Sequence, residues 1–555
     1  MKRTILSFIL ALSFVAQTAA QTTTKVNSPA RRAADEITAA QMKDYLSFIA
    51  SDEMEGRDTP SRGLNTTAKF IATMLSRWNV KPMGDDGYFQ RIALRGTVPD
   101  AAKSSLEIDG QKFALGDDFL RFAGANDTPV AAPLVYGGDG WLIKSKNLDA
   151  LSGVDVKGKI VVLYGDGMPT NFAPTSPPNG VTFEELRSLK RGVDWADPVT
   201  NARTKGALGV IIVASSEAQA KWFALREFYS RGRFVVDKLT PATAPSTTAA
   251  FPVVFVSQHV SNALFAGEAA NPLSTGTSAV NRNKAFELNR NKKISLTVAT
   301  KTESVMTQNV VGMIEGRDPK LKTEVVAVGA HYDHIGVNPL LSGDQINNGA
   351  DDDGSGTTAI LSMAEALAKA PLKPKRSVLF VWHCGEEKGL WGSDYFTNFP
   401  TVPLDKVVTQ LNIDMIGRSK KADDTNPLDK ELSAPNEIYV IGSKMMSAEL
   451  GALSESVNNS YLKLTFDYRY DDPIDPNNFY GRSDHYNYAR KGVPIIFYFD
   501  GVHEDYHRPG DEVSKIDFDK MQRVARTVFL TMWELGDAPS RPRIDKQLPA
   551  ERLQR

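Results

Sequence analysis

Cysteine is almost absent from this sequence: Cys384 is the single one in 555 residues. That excludes an internal disulfide and any metal or cluster site built on several thiolates. A surplus of either charge is missing too. Lysine and arginine number 65 against 66 aspartates and glutamates, which gives no basic surface for nucleic acid or an anionic membrane. Beyond the first twenty residues no apolar run is long enough to span a bilayer, and no internal repeat recurs. With 42% hydrophobic and 24% charged residues, the composition is that of a soluble globular protein. The length exceeds what one hydrophobic core sustains, so two or more compact units are expected.

The one apolar run stands at the start. Lys2 and Arg3 precede an apolar stretch over residues 5–16, and the small residues Thr18, Ala19 and Ala20 follow. This is the order of a secretory signal peptide, expected over residues 1–20 with cleavage after Ala20, and it predicts a periplasmic or secreted protein. The run is too short to span a membrane comfortably, so no membrane span is expected after cleavage. Cys384 ends an apolar run and reads as a buried, inert thiol.

Residues 21–34 are polar and read as a lead-in. Thr38 is placed to cap a helix running to about Ser51, with Met42, Tyr45, Leu46 and Ile49 on one face. Asp52, Glu53, Met54, Glu55, Gly56 and Arg57 read as a loop, and a second amphipathic helix is predicted over about 63–78. Strands are expected near 89–94 and 105–108. From about 122 to 290 the character changes. Short β-branched runs at 160–164, 210–213 and 251–256 predict a small β-rich module. Residues 165–201 and 238–250 read as Pro-, Thr- and Ser-rich loops. From about 306, strands at 325–328, 377–382, 410–413 and 494–499 alternate with helices at 356–369 and 518–533. That alternation predicts an α/β fold with a mostly parallel sheet covered on both faces.

The chemistry concentrates in this α/β part. Six of the seven histidines lie between His331 and His507, and most follow predicted strands. So do Asp351, Asp352, Asp353, Glu386 and Glu387, while Asp414 ends its own strand. Ligands of doubly wound sheets bind beyond the carboxyl ends of the strands, so one crevice can collect all of these groups. Imidazoles and carboxylates without thiolates suit Zn²⁺ or a similar divalent ion better than Ca²⁺. The donors suffice for two ions, which need a bridging carboxylate. Taken singly, each motif has a plainer reading. An aspartate before a helix caps it, adjacent glutamates are commonly solvated surface, and a lone histidine is commonly structural.

The motifs His331-Tyr332-Asp333, Gly349-Ala350-Asp351-Asp352-Asp353-Gly354-Ser355-Gly356, Gly385-Glu386-Glu387, Asn412-Ile413-Asp414-Met415 and Tyr506-His507-Arg508-Pro509-Gly510-Asp511 occur in that order. Together they resemble the di-zinc aminopeptidase and glutamate carboxypeptidase family, over roughly residues 35–120 and 300–535. The resemblance implies a zinc-exopeptidase fold, two Zn²⁺ ions, and peptides or small proteins as substrates. It implies that His331 and Asp414 hold one zinc, that Glu387 and His507 hold the other, and that Asp352 bridges them. Glu386 matches the general base, and Tyr506 matches a donor to the oxyanion. Asp333 matches a residue that orients His331, and Asp511 is a candidate for the same service to His507. His503, four residues before His507, is its competitor as a ligand. His334 and His383 are left without a role, Ser483-Asp484-His485 resembles a family segment near the substrate pocket and reads as structural support, and the oligomeric state is not encoded visibly.

Residues 122–290 resemble a protease-associated domain, carried by Gly158-Lys159-Ile160-Val161-Val162 and by the Lys205-Gly206-Ala207 segment. The implied division is a signal peptide at 1–20, an N-terminal part of the peptidase domain at 21–121, the inserted domain at 122–290, the catalytic zinc peptidase domain at 291–537, and a tail at 538–555. Glu53-Met54-Glu55-Gly56-Arg57 resembles an N-terminal loop common in the family. Aminopeptidase is the leading expectation. The alternatives are a carboxypeptidase or dipeptidase using Arg418, Arg482 or Arg508 to hold a substrate carboxylate, a glutaminyl cyclase with one zinc, and a non-catalytic receptor-like protein.

Overall fold

The computed structural model describes residues 28–549 except 166, 169–172, 179, 242–250, 269 and 274–281. The expected signal peptide lies outside the described residues. The apolar runs after residue 300 assemble with earlier strands into a ten-stranded mixed sheet. Nine strands are labelled in chain order: β1 Phe89–Pro99, β2 Arg233–Val236, β3 Thr300–Ile314, β4 Val325–His331, β5 Ser377–His383, β6 Val407–Ile413, β7 Glu437–Ile441, β8 Thr465–Asp467 and β9 Ile495–Phe499. Their order across the sheet is β2-β1-β3-β5-β4-β6-β9-β7-β8, and Lys81–Pro82 pairs with β3. The middle strands β5, β4, β6 and β9 are parallel. Antiparallel pairings extend the sheet on both flanks.

Every residue of β4, β5 and β6 is buried. A strand covered on both faces is mostly apolar, which is why β4 and β5 read as nearly unbroken hydrophobic runs. Strand β6 also buries Gln410 and Asn412, with Gln410 Nε2 donating to Asn412 Oδ1 at 3.0 Å and Asn412 Nδ2 to Ser483 Oγ at 2.9 Å. Helices α1 Ser28–Asp35, α2 Ala39–Ile49, α3 Arg62–Arg77, α4 Gly356–Lys369 and α5 Phe518–Asp537 pack against one face. The Thr38 hydroxyl accepts the Gln41 amide at 3.2 Å and starts α2 as the sequence predicts. Helix α4 is buried from Gly356 to Leu367, enclosed by β4, α1, α2 and α5, and it is accordingly rich in small and aliphatic residues, with the buried Glu365 carboxylate accepting the Tyr45 hydroxyl at 2.5 Å. The helices Trp391–Asn398 and His485–Arg490 help cover the other face, where Leu379, Val381 and Phe497 form a second core with Phe396 and Tyr488.

From β4 the chain crosses through α4 to β5 on one side, then returns to β6 on the other side of β4. This reversal opens a crevice at the carboxyl ends of the middle strands. His331 is the last residue of β4, Glu386 and Glu387 follow β5, Asp414 follows β6, and His507 follows β9.

The β-rich module has two layers. A six-stranded sheet includes Ile160–Tyr164, Gly209–Val213 and Val253–Val256, and a four-stranded sheet includes Ser105–Ile108 and Ile294–Val298. Ile160, Val162, Ile211 and Val254 pack toward Leu106, Ile108 and Leu296. Val161, Leu163, Val210 and Ile212 pack the other way, against Ala202 and Leu225. The sequence reading of 165–201 as loop is corrected. It holds the helices Phe183–Arg187 and Pro198–Thr204, the second capped by Asp197, whose carboxylate accepts the Val199 and Thr200 amides. Proline is compatible with a helix at its first position, where no amide hydrogen is needed.

Two features join module and sheet. Strand β2 adds to the edge of β1, with Phe234 opposite Gly96. Lys221 Nζ and Arg231 Nη1 donate to the carbonyls of Leu340 and Val337 at 2.7 and 3.0 Å, in the loop after His334. Leu379 stands fully buried at the centre of β5. Leu379→Ala is expected to destabilise the protein by ~2–5 kcal/mol through lost burial and the cavity left behind, measured as a lowered midpoint of chemical unfolding.

Candidate metal centre

The turn between Gly349 and α4 carries the acidic run. All of Ala350–Ser355 is buried, and Asp352 and Asp353 leave helical backbone angles, so the three carboxylates diverge. Asp353 turns inward. It accepts the amides of His331 at 3.2 Å, Gly356 at 2.9 Å and Met415 at 3.1 Å, tying the ends of β4 and β6 to the start of α4. Gly356 makes this possible, because a Cβ there would lie 2.4 Å from the Asp353 carboxylate and 2.6 Å from the Ile413 carbonyl. Asp351 accepts the Gly417 amide at 2.6 Å and faces His503 Nε2 at 3.4 Å. Asp352 faces the crevice.

Asp352 Oδ1 lies 3.3 Å from His331 Nε2, and its Oδ2 lies 3.1 Å from His507 Nε2. His331 Nε2 is also 3.6 Å from Asp414 Oδ1, and His507 Nε2 is 3.1 Å from Glu387 Oε2. The five expected ligands therefore meet as two groups that share Asp352. His331 donates through Nδ1 to the Asp333 main-chain carbonyl at 3.1 Å. A carbonyl only accepts, so Nδ1 carries a proton, and Nε2 is the nitrogen turned toward Asp352 and Asp414. The Asp333 carboxylate is farther from that nitrogen, at 3.7 Å, and accepts the Glu386 amide at 3.1 Å. Asp333 thus orients His331 mainly through its backbone and uses its side chain to hold the Glu386 loop.

The electrostatics follow from burial and proximity. Burial raises the Glu386 carboxyl well above the usual range, with Glu387 and Asp414 adding to the rise and His331 opposing it. Burial also works against charge on Asp352 and Glu387. Even so, hydrogen bonds with His331 and His507 hold Asp352 well below the carboxylate range, and His334 and His507 hold Glu387 down to about 2. Burial lowers His507 but its two carboxylates outweigh it and push it up to about 10. A cavity of about 30 Å³ is lined by Asp352, Glu386 and Asp414 and by the rings of Phe479, Phe497 and Phe499. Tyr506 reaches the same cavity and stacks on His507, ring centroids 3.9 Å apart.

Three sequence expectations are revised. His503 is no competitor of His507, because it is buried behind the turn against Asp351. Asp511 serves the turn rather than the His507 ring, accepting the Asp351 amide at 3.0 Å and the Asp352 amide at 3.1 Å. Arg418 is committed to Asp505 at 2.9 Å and lies 3.8 Å from Asp511, so it is not a free cation for a substrate. His334, given no role from sequence, joins the second group: its Nδ1 lies 2.8 Å from Glu387 Oε1 and 3.8 Å from Asp352 Oδ2. It stands three residues after His331, and that spacing was the available signal. His383 and His485 are buried supports pushed down to about 3 by burial.

Residues 309–532 match the model described as Peptidase family M28, and residues 130–264 match the PA domain. This segment is similar to peptidase family M28. The M28 segment contains all five expected ligands. A probable zinc metalloprotease of Pyrenophora tritici-repentis (strain Pt-1C-BFP) is 30% identical over 270 residues, which are 43% of this chain and 53% of that protein. Leucine aminopeptidase 2 of Trichophyton rubrum is 29% identical over 282 residues, 46% of this chain and 50% of that protein. The chain thus spans about half the length of the curated relatives it matches. Among solved structures, a zinc aminopeptidase from Bacillus subtilis aligns over 90% of this chain and 95% of its own, at 19% identity and a TM-score of 0.48.

Asp353→Ala in the M28 segment strands three buried amides, each at ~1–3 kcal/mol. A loss of at least ~3 kcal/mol in unfolding free energy is expected. Asp353→Asn, which keeps one carbonyl acceptor, is expected to lose less in the same unfolding measurement.

Proposed function

We propose that this chain is an exported zinc aminopeptidase with two metal positions. The observation that carries the reading is one buried carboxylate, Asp352, within 3.3 Å of His331 and 3.1 Å of His507, in two separate donor groups. His331 and Asp414 would hold one zinc, Glu387 and His507 the other, and Asp352 both. The donor set fits. It is built of imidazole nitrogen and carboxylate oxygen, and the buried Asp352 Oδ2 and Glu387 Oε1 each face an imidazole nitrogen, of His507 at 3.1 Å and of His334 at 2.8 Å. When bound, paired zinc ions supply Lewis acidity to a shared water and to the scissile carbonyl.

The chain's own groups supply the rest. Glu386 lines the cavity beside Asp352, where its carboxylate is placed to take a proton from the attacking water and pass it to the departing amine. Arg482 Nη2 donates to the Tyr506 oxygen at 3.3 Å. The Tyr506 hydroxyl hydrogen is thereby free to turn toward the developing oxyanion. The rings of Phe479, Phe497 and Phe499 exclude water and strengthen these interactions. The inserted module is proposed to shape access to the crevice, with the chain divided near residues 122 and 290. Export rests on the signal-peptide reading of residues 1–20. Among the described residues no helix is long and apolar enough to cross a membrane.

Glu386→Gln is expected to lower turnover of aminoacyl arylamides by ~10²–10⁴ while bound zinc stays at the wild-type level. Near-wild-type turnover would remove its role as base. Prolonged chelation is expected to abolish cleavage and added Zn²⁺ or Co²⁺ to restore it, with two ions per chain by elemental analysis. Full activity in chelator, or cleavage confined to N-blocked peptides, would overturn the assignment.

A further inference from the structure

The loop Glu53-Met54-Glu55-Gly56-Arg57 is not used by the mechanism above, and it lies outside the segment that matches the peptidase family. Its last residue is nevertheless enclosed by the metal centre. Arg57 is 0% exposed. Its Nε donates to the Tyr332 carbonyl at 2.9 Å, its Nη1 to Asn348 at 2.7 Å and Ile49 at 2.8 Å, and its Nη2 to Gly349 at 2.9 Å. The Arg57 carbonyl in turn accepts the His334 amide at 3.3 Å. Among the described residues no carboxylate pairs with this guanidinium directly. Its charge is balanced at longer range by Asp333, Asp511, Asp352 and Asp353.

The neighbours of Arg57 extend the pattern. The Thr59 hydroxyl, nearly fully buried, accepts the Gly385 amide at 3.1 Å, next to Glu386. Asp58 pairs with Lys388 at 2.6 Å, just past Glu387. Gly56 adopts a left-handed φ of +63°, and a Cβ there would lie 2.4 Å from the Asn347 carbonyl. The loop therefore lies directly against the approach to the acidic turn. Residues 56–59 thus touch three ligand-bearing loops: His331 to His334, Asn347 to Asp353, and Gly385 to Lys388. No other contact described above joins all three.

We propose that residues 56–59 form a clasp that fixes the relative position of the two ligand groups, with Arg57 as its central positioning residue. A planar guanidinium can hold several carbonyls at fixed angles, and an ammonium cannot. The clasp rests on the metal-centre reading, but zinc affinity tests it without reference to peptide cleavage.

The test uses full-length Arg57→Lys, Arg57→Met and Thr59→Val. Zinc affinity of each metal-free protein is measured by competition with a chromophoric chelator, beside its circular dichroism and melting temperature. Arg57→Lys and Arg57→Met are expected to bind zinc ~10–100-fold more weakly, the range for groups that orient metal ligands. Thr59→Val is expected to weaken it less. Arg57→Met is the variant most prone to misfold, and Arg57→Lys then decides. Folded Arg57→Lys with wild-type zinc affinity overturns the clasp. So does a lowered melting temperature with unchanged affinity, which assigns Arg57 to the fold alone. Wild-type protein that binds zinc yet cleaves no peptide refutes the peptidase reading, while the affinity ratio still judges the clasp.

Discussion

Three consecutive aspartates cannot share one buried turn unless each carboxylate finds different partners, because like charges in a region of low dielectric repel strongly. The turn after Gly349 meets this constraint by leaving helical geometry at Asp352 and Asp353. Asp353 becomes an internal acceptor for amides at the ends of β4 and β6 and the start of α4. Asp351 is taken up by the Gly417 amide and His503. Only Asp352 is left facing the crevice, and both ligand groups are assembled on it. The sheet reversal around β4 then determines which other groups can approach.

Strands β4 and β5 could be read from sequence because they are enclosed on both faces and are apolar almost without interruption. The unbroken runs at 325–328 and 377–382 are the visible part of β4 and β5. Helix α4 was equally legible, with both ends as predicted at 356 and 369, because the buried small and aliphatic residues also favour helix. The ligand candidates were found through motif order at strand ends. Their convergence depends on register, which appears only in the sheet: His331 lies opposite His383, and Ile413 beside Tyr498.

What stayed hidden was carried by side chains whose partners are distant in sequence. Nothing local marks Arg57 as the holder of carbonyls at Asn348 and Gly349, hundreds of residues away. Asp511 looked like a partner for its near neighbour His507, but the fold brings the amides of Asp351 and Asp352 to it instead. Strand β2 is half-exposed and only four residues long, too short to show a period, and its partner β1 is more than a hundred residues away in sequence. The helix Pro198–Thr204 was concealed by composition, because prolines and threonines mark loops on average yet also begin helices.

That pairing of β2 with β1 has a consequence for how the protein could have been assembled. An insertion tethered only at its two ends could be lost without disturbing its host. This one lends a strand to the host, and backbone groups of Leu94 to Thr97 are satisfied by it. Excising the module would leave that rim with unpaired amides and carbonyls, a surface on which other chains can template themselves. The two bodies are therefore bound into a single heritable unit by main-chain hydrogen bonds, which substitution of side chains alone does little to undo.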